Sequence, residues 1–349
     1  MSTLTIALAS LGGVVLAGIV AHGAWQARKA GPKRAAAPVA PTEPREPVMD
    51  ALNSDVDAAP IDELPTIPER RANKRIVQRL DALIDSIATL TLDAPISGAF
   101  ALTHLPSTRR AGGKPFMIEG LNSETGEWEF PVGSQHYGEF QAGVQLANRT
   151  GALNEIEYSE FVQKIQAFAE GLGAFGQFPD MLEAVAAARE LDHFASEHDA
   201  QLAVNLQSRA AAWSVGYIQQ HASRHGFVPG VVPGRLVLPS ADEGAPPVLT
   251  LTFDSQAALA DDPNVSAVRD VTLSFDVPQT DAGVAPFGAW QASAQALAQG
   301  MDAVVVDDHG RPLHTEGFAA IGNELGQLYA ALEGRDLAAG SPAARRLFS

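Results

Sequence analysis

Residues 271–277 read Val-Thr-Leu-Ser-Phe-Asp-Val, residues 289–301 read Ala-Trp-Gln-Ala-Ser-Ala-Gln-Ala-Leu-Ala-Gln-Gly-Met, and residues 303–307 read Ala-Val-Val-Val-Asp. The first and last segments are short and rich in β-branched or aromatic residues, which is typical of strands. The middle segment is long enough for roughly three and a half helical turns and has its large apolar residues on one face. A strand, an amphipathic helix and a second strand predict a sheet with a helix packed on it.

The same kind of pattern extends on both sides of this stretch and predicts an α+β fold. We expect strands at 100–105, 116–121, 127–130, 140–146, 202–206, 235–238 and 248–253, and helices at 73–90, 158–172, 179–194, 213–225 and 315–333. Alternation of apolar and polar residues along the strands predicts antiparallel sheets with helices on one face and an open second face. We divide this part of the chain into an additional α+β region at 73–199, a second domain at 200–335 and a C-terminal tail at 336–349.

The two regions show a faint internal similarity. Without a gap, residues 144–172 can be placed over residues 273–301, and the apolar positions of the two segments then coincide. Any strand followed by a loop and an amphipathic helix would give a similar pattern, so a degenerate repeat and a chance similarity both remain open.

The N-terminal sequence predicts a membrane anchor over 1–27. From Leu4 to Ala21 there is no charged residue, and about 20 residues span a hydrocarbon core of about 30 Å. A basic collar, consisting of Arg28, Lys29, Lys33 and Arg34, follows this segment and would lie against anionic lipid. The positive-inside rule then predicts an outside N-terminus and a cytoplasmic bulk. The alternative is an exported protein whose leader is removed.

Composition gives further expectations about the linker, the partner and the cellular compartment. The proline-rich segment at 28–72 predicts a disordered linker, because it has too little apolar surface to offset its ordering entropy. The net charge of −17 argues against nucleic acid as a partner. The absence of cysteine fits a reducing compartment.

Several short motifs have possible chemistry, but each fits an ordinary structural role better. Gly171–Gly176 matches G-x-G-x-x-G, yet it follows a predicted helix, which favours a helix C-cap over a dinucleotide site. His221 and His225 share one helix face without a third metal ligand nearby. Asp307-Asp308-His309 lies where a strand meets a turn. We therefore predict a binding module without enzyme activity, cofactor, metal or small-molecule substrate.

Residues 272–278, an amphipathic helix and residues 303–313 together resemble the C-terminal domain of the ZipA family of cell-division proteins. Gly226-Phe227 and Pro246-Pro247-Val248-Leu249 also fit that family, and the match covers about 201–335. ZipA proteins tether the tubulin-like GTPase FtsZ to the inner membrane. The resemblance implies a split β-α-β fold whose open sheet face forms a shallow groove for the helical C-terminal tail peptide of FtsZ.

The resemblance also implies which residues line this groove. The positions that match it are Ala203, Val232, Thr250, Ser255 and Ser274. They are smaller and more polar than a helix-binding groove usually requires, which predicts weak binding or a displaced contact. The expected function is a single-pass inner-membrane adaptor at the division septum. A divisome scaffold that acts through 73–199 without FtsZ contact, and an exported envelope binding protein, remain as alternatives.

Overall fold

The computed structural model describes residues 79–242, 244–259, 262 and 267–349. The predicted anchor (1–27), the basic collar, the whole predicted linker (28–72) and the first six residues of the predicted 73–199 region lie outside these residues. Within the described part of the chain, no helix is both long enough and apolar enough to cross a bilayer. The predicted α+β class with antiparallel sheets is confirmed.

The first half of the described chain forms one antiparallel sheet and three helices. Its strands are β1 (Asp85–Ser97), β2 (Arg110–Ala111), β3 (Lys114–Asn122), β4 (Trp128–Glu129), β5 (His136–Gln145), β6 (Ala147–Asn148), β7 (Gly151–Ala152) and β8 (Phe175–Gln177). Its helices are α1 (Gly98–His104), α2 (Glu155–Leu172) and α3 (Met181–His198). The first sheet has the order β2-β3-β5-β1-β8 with β4 beside β3, and β6 and β7 form a separate ribbon.

The second half forms another antiparallel sheet. Its strands are β9 (Gln201–Ser208), β10 (Val228–Pro229), β11 (Arg235–Leu238), β12 (Leu249–Thr252), β13 (Asp270–Asp276) and β14 (Ala303–Val306). Its helices are α4 (Val215–Ser223), α5 (Ser255–Ala258), α6 (Pro286–Gly300), α7 (Thr315–Glu333) and α8 (Pro342–Leu347). The second sheet has the order β10-β11-β12-β13-β9-β14.

The two sheets contain the same arrangement of four strands. The order β3-β5-β1-β8 in the first sheet corresponds to β12-β13-β9-β14 in the second, and all neighbours are antiparallel. Phe116 of β3 pairs with Val144 of β5, as Leu251 of β12 pairs with Leu273 of β13. The ungapped comparison that places residue 144 over residue 273 therefore superposes strands with the same place in the two sheets.

Each sheet packs one face against helices. In the first half, Phe161 of α2 packs its ring against Phe116 of β3, with ring centroids 5.7 Å apart. In the second half, Trp290 of α6 is fully buried and its indole Nε1 donates to the carbonyl oxygen of Leu273, 3.0 Å away. The opposite face of each sheet takes no part in these helix contacts.

Two predicted elements are wrong. The helix predicted over 73–90 is, in its described part, a turn followed by strand β1, in which Ser86, Ala88 and Leu90 alternate as buried residues. The strand predicted over 100–105 is helix α1, which begins where the Ser97 hydroxyl accepts from the Phe100 N–H. The helix predicted from residue 158 begins earlier, because Asn154 and Glu157 form a capping box.

The last residues of the sequence return to the first half. After α7, helix α8 places Leu347 and Phe348 in the hydrophobic core of the first sheet, where both are fully buried. Arg346 forms a bidentate ion pair with Asp85 of β1, with N–O distances of 2.5 and 2.7 Å. The segment predicted to be a C-terminal tail, 336–349, therefore connects the second half to the core of the first.

Candidate functional site

The open face of the second sheet is the candidate site. Along β12 and β13 the buried residues Leu251 and Leu273 point toward the helices, so Thr250 and Ser274 point to the opposite face. Thr250 pairs with Ser274, and Ser274 pairs with Ala203 of β9. Three of the five residues predicted for the groove therefore form one row across the open face.

The other two predicted residues, Val232 and Ser255, lie at one end of the β11–β12 pair. Val232 belongs to the turn before β11, and its carbonyl oxygen accepts from the Arg235 N–H at 3.1 Å. Ser255 is the first residue of α5, directly after β12. The Phe253 N–H donates to the Gly234 carbonyl oxygen at 2.9 Å, which brings the two segments together. These residues border the face but do not belong to the row.

The open face is polar and incompletely hydrogen-bonded. Ser274 is 7% exposed, and its hydroxyl makes no hydrogen bond to any described residue. Beside the row, the Thr272 hydroxyl donates to Asn205 Oδ1 at 2.7 Å. Arg235 donates to the Thr250 hydroxyl at 3.3 Å but forms no ion pair within the described part of the chain. The face therefore offers hydrogen-bond donors, the Arg235 cation and two acids of β13, Asp270 and Asp276, of which Asp276 is paired with Arg149 at 2.7 Å. Its central row lacks large apolar anchors.

The corresponding face of the first sheet is covered. Asp85 pairs with Gln145 there, and both residues face away from the core formed with α2. Gln145 Nε2 donates to the carbonyl oxygen of Arg346 at 2.7 Å, while the Arg346 guanidinium pairs with Asp85. Burial raises the pKa of Asp85, and the Arg346 guanidinium opposes this rise.

A second segment adds to this cover. The Leu80 N–H donates to Glu119 Oε1 at 3.1 Å, and Gln141 donates to the other oxygen of the same carboxylate. A Cβ at position 143 would come too close to the end of the Leu80 side chain, which would have to shift to admit a larger residue. The chain's own residues thus occupy the surface that corresponds to the candidate site.

Sequence reasoning missed Arg235, Asn205 and the group formed by Asp85, Gln145 and Arg346. The alternation Leu249-Thr250-Leu251-Thr252 carries a usable signal, because it marks which side of the second sheet is polar. No signal of this kind links Asp85 to Arg346.

The glycine-rich motif and the Asp307 turn have the structural roles predicted for them, whereas His225 lies beyond the end of α4 and does not share a helix face with His221. Gly173 ends α2 in the left-handed conformation (φ 70°), and its N–H donates to main-chain carbonyls of the last helical turn. The His221 ring packs against Tyr217 at a centroid distance of 4.3 Å. Asp307 accepts from the N–H groups of His309 and Arg311 and so stabilises a turn. Among the described residues, no group of three or more His, Cys, Asp or Glu side chains is arranged to hold a metal.

A cleft of about 530 Å³ lies elsewhere, between α6 and the edge strand β14. Its lining includes Gln295, Gln299, Val304 and His314. It contains none of the predicted groove residues, so it is separate from the open-face row.

A scan against models of known protein families finds no match for this sequence, and neither does a search of curated proteins. Function is therefore inferred from the open face and from the resemblance to the ZipA family.

Proposed function

We propose that this protein is a cell-division adaptor that binds the C-terminal tail of FtsZ and holds FtsZ filaments at the cytoplasmic face of the inner membrane. The observation that carries the proposal is the row Ala203–Ser274–Thr250 on a sheet face that the described part of the chain leaves accessible at Ala203 and Thr250. Three residues chosen through the resemblance lie together there.

The fold of the second half supports the same assignment. Strand β9, helix α4, the strands β10 to β13, helix α6 and strand β14 follow in an order similar to the split β-α-β fold of the ZipA C-terminal domain. Helices α4 and α6 both contribute to the core on the other side of this sheet. A shallow sheet face of this kind suits an amphipathic helix laid across it.

The small polar side chains of the row favour a weak single contact. Clustered tails on an FtsZ filament would then bind several membrane-held copies at once, and effective concentration would supply the avidity. The adaptor needs no cofactor and no chemistry of its own for this role.

The proposal is tested by blocking the row. In binding measurements with the full chain and an FtsZ tail peptide, Ala203→Trp should weaken binding by about tenfold or more, because the bulky ring displaces the peptide from a shallow face. The matched control is Thr89→Trp, which places the same side chain on the corresponding strand of the first sheet, at an exposed position. This control should bind like the parent chain.

Two results would contradict the proposal. The first is the absence of saturable binding by the parent chain, and the second is equal binding by Ala203→Trp and Thr89→Trp.

The runner-up function is a divisome scaffold that acts through the region 73–199. Phe100 and Leu102 of α1 and nearby Val132 are each more than two-fifths exposed, which gives the first half an apolar surface patch. If a Leu102→Ser variant lost recruitment to the septum while the parent chain failed to bind the tail peptide, the scaffold would be favoured.

The membrane arrangement is part of the proposal and has its own test. A topology reporter fused after Ser349 should give a cytoplasmic signal, because the basic collar follows the apolar segment. A periplasmic signal, or mature protein that begins near Trp25, would favour the exported alternative instead.

A further inference from the structure

We infer that the open face of the second sheet binds the C-terminal turn of a short acidic helix, with Ser274 donating to a free main-chain carbonyl and Arg235 pairing with a carboxylate. The inference rests on the proposed function and deepens it, because it states which chemical features of the peptide the face recognises.

The strands of the two sheets correspond to each other at this position. The comparison that places residue 144 over residue 273 also places Gln145 over Ser274. Gln145 pairs with Asp85 of β1, and Ser274 pairs with Ala203 of β9. Since β1 and β9 hold the same place in their sheets, Asp85 corresponds to Ala203 and Gln145 corresponds to Ser274.

In the first sheet, the end of helix α8 occupies this position. Helix α8 is short, and its last turn contains Arg346. Gln145 donates to the carbonyl oxygen of Arg346, one of the carbonyls that a helix C-terminus leaves without a partner inside the helix. The side chain of Arg346 enters the ion pair with Asp85. The first sheet thus shows how a face of this architecture holds the end of a short helix.

The two faces differ in the groups that they offer to a helix end. Ala203 replaces the acid, so a basic side chain in the position of Arg346 would lack its partner in the second sheet. Ser274 is more than nine-tenths buried, and its hydroxyl is unused by the described residues. Arg235 is exposed and is not paired with an acid in the part of the chain that the structure describes. Of the two acids on this face, Asp276 is already paired with Arg149, and Asp270 lies at the other end of β13. A helix C-terminus is the negative pole of the helix and a carboxylate adds to it, so both suit the part of the face that carries Ser274 and Arg235.

The experiment compares two peptides on the full chain. One is the FtsZ tail peptide, and the other is the same peptide with every Asp and Glu replaced by Asn and Gln. Arg235→Gln should weaken binding of the acidic peptide about tenfold, as expected for the loss of a charge-assisted hydrogen bond, and leave the amide peptide unchanged. Ser274→Ala should weaken both peptides about fivefold, because it removes a neutral hydrogen bond.

The matched control is Arg224→Gln, which removes an exposed arginine at the end of α4. It should bind both peptides like the parent chain. A peptide with the sequence of residues 341–349 should fail to displace the tail peptide, because Ala203 offers no acid to its arginine.

The outcomes separate the two proposals. If the parent chain binds the tail peptide, and Arg235→Gln and Ser274→Ala each bind it as tightly as the parent chain does, this inference is overturned and the proposed function stands. If the parent chain binds neither peptide, the proposed function fails and this inference fails with it.

Discussion

Replacing Arg346 by alanine should lower the free energy of unfolding by about 3–5 kcal/mol, which is typical when one partner of a buried ion pair is removed. Both partners are almost completely buried, and Arg346 also donates to the carbonyl oxygen of Arg79 at 3.0 Å. The substitution would leave the Asp85 carboxylate inside the protein without its cation. It would also loosen helix α8, whose neighbours Leu347 and Phe348 complete the core of the first sheet.

Urea denaturation of the full chain measures this effect. The matched control is Arg345→Ala, at the neighbouring position in α8, where the side chain donates to the Gln279 carbonyl oxygen at 3.2 Å. Loss of that single hydrogen bond should lower the free energy of unfolding by about 1.5 kcal/mol or less. Equal losses for the two variants would show that the ion pair has no special importance.

The pH dependence of this loss tests whether the unpaired Asp85 carboxylate causes it. Burial raises the pKa of Asp85, so in the folded protein its stabilising contribution is greatest at low pH and falls as pH rises through that raised value. The loss caused by Arg346→Ala should therefore be smaller at acidic pH than at neutral pH.

A double replacement removes the buried charge together with its partner. The variant that carries both Asp85→Leu and Arg346→Met should be nearly as stable as the parent chain. A double variant as unstable as Arg346→Ala would contradict this account.

Replacing Trp290 by alanine should also lower the free energy of unfolding by about 3–5 kcal/mol. The ring is fully buried between Phe275 and Phe318, with centroid distances of 6.1 and 5.5 Å. Its removal leaves a cavity and takes the hydrogen-bond donor from the Leu273 carbonyl oxygen. Leu273 precedes Ser274, so this loss falls directly beneath the candidate site.

Two further tryptophan variants separate the contribution of the hydrogen bond from that of ring burial. Trp290→Phe keeps most of the ring but loses the hydrogen bond, so its loss should be smaller than that of Trp290→Ala. Trp128→Ala removes a half-buried tryptophan from the two-residue strand β4 and should have a smaller effect than Trp290→Ala. The prediction would be wrong if Trp128→Ala were as destabilising as Trp290→Ala.

The secondary structure of the second half could be predicted closely from the sequence. The strand at 235–238 and the helix at 315–333 agree with the structure, because strand alternation and helical spacing are unambiguous there. The region around Ile84 and Ile87 was ambiguous, since its apolar residues fit helical spacing as well as alternation. The turn at Asp81 decides the outcome, because its carbonyl oxygen accepts from the Ile84 N–H and the chain then continues as a strand.

The candidate site could be predicted only in part. The resemblance selected residues that the sheet register places in one row, but the register itself follows from strand pairing that the sequence does not specify. The cover on the first sheet was not predictable, because Asp85 and Arg346 are 261 residues apart and neither belongs to a recognisable motif.

The position of Leu347 and Phe348 in the first sheet has a consequence during synthesis. The strands and helices of the first half have all been synthesised once residue 198 has been added, yet two of its core side chains come about 150 residues later. At 5–20 residues per second, that interval lasts roughly 8–30 s. Throughout it, the core of the first sheet lacks these two side chains and Asp85 lacks its cationic partner, so an apolar surface stays accessible to chaperones.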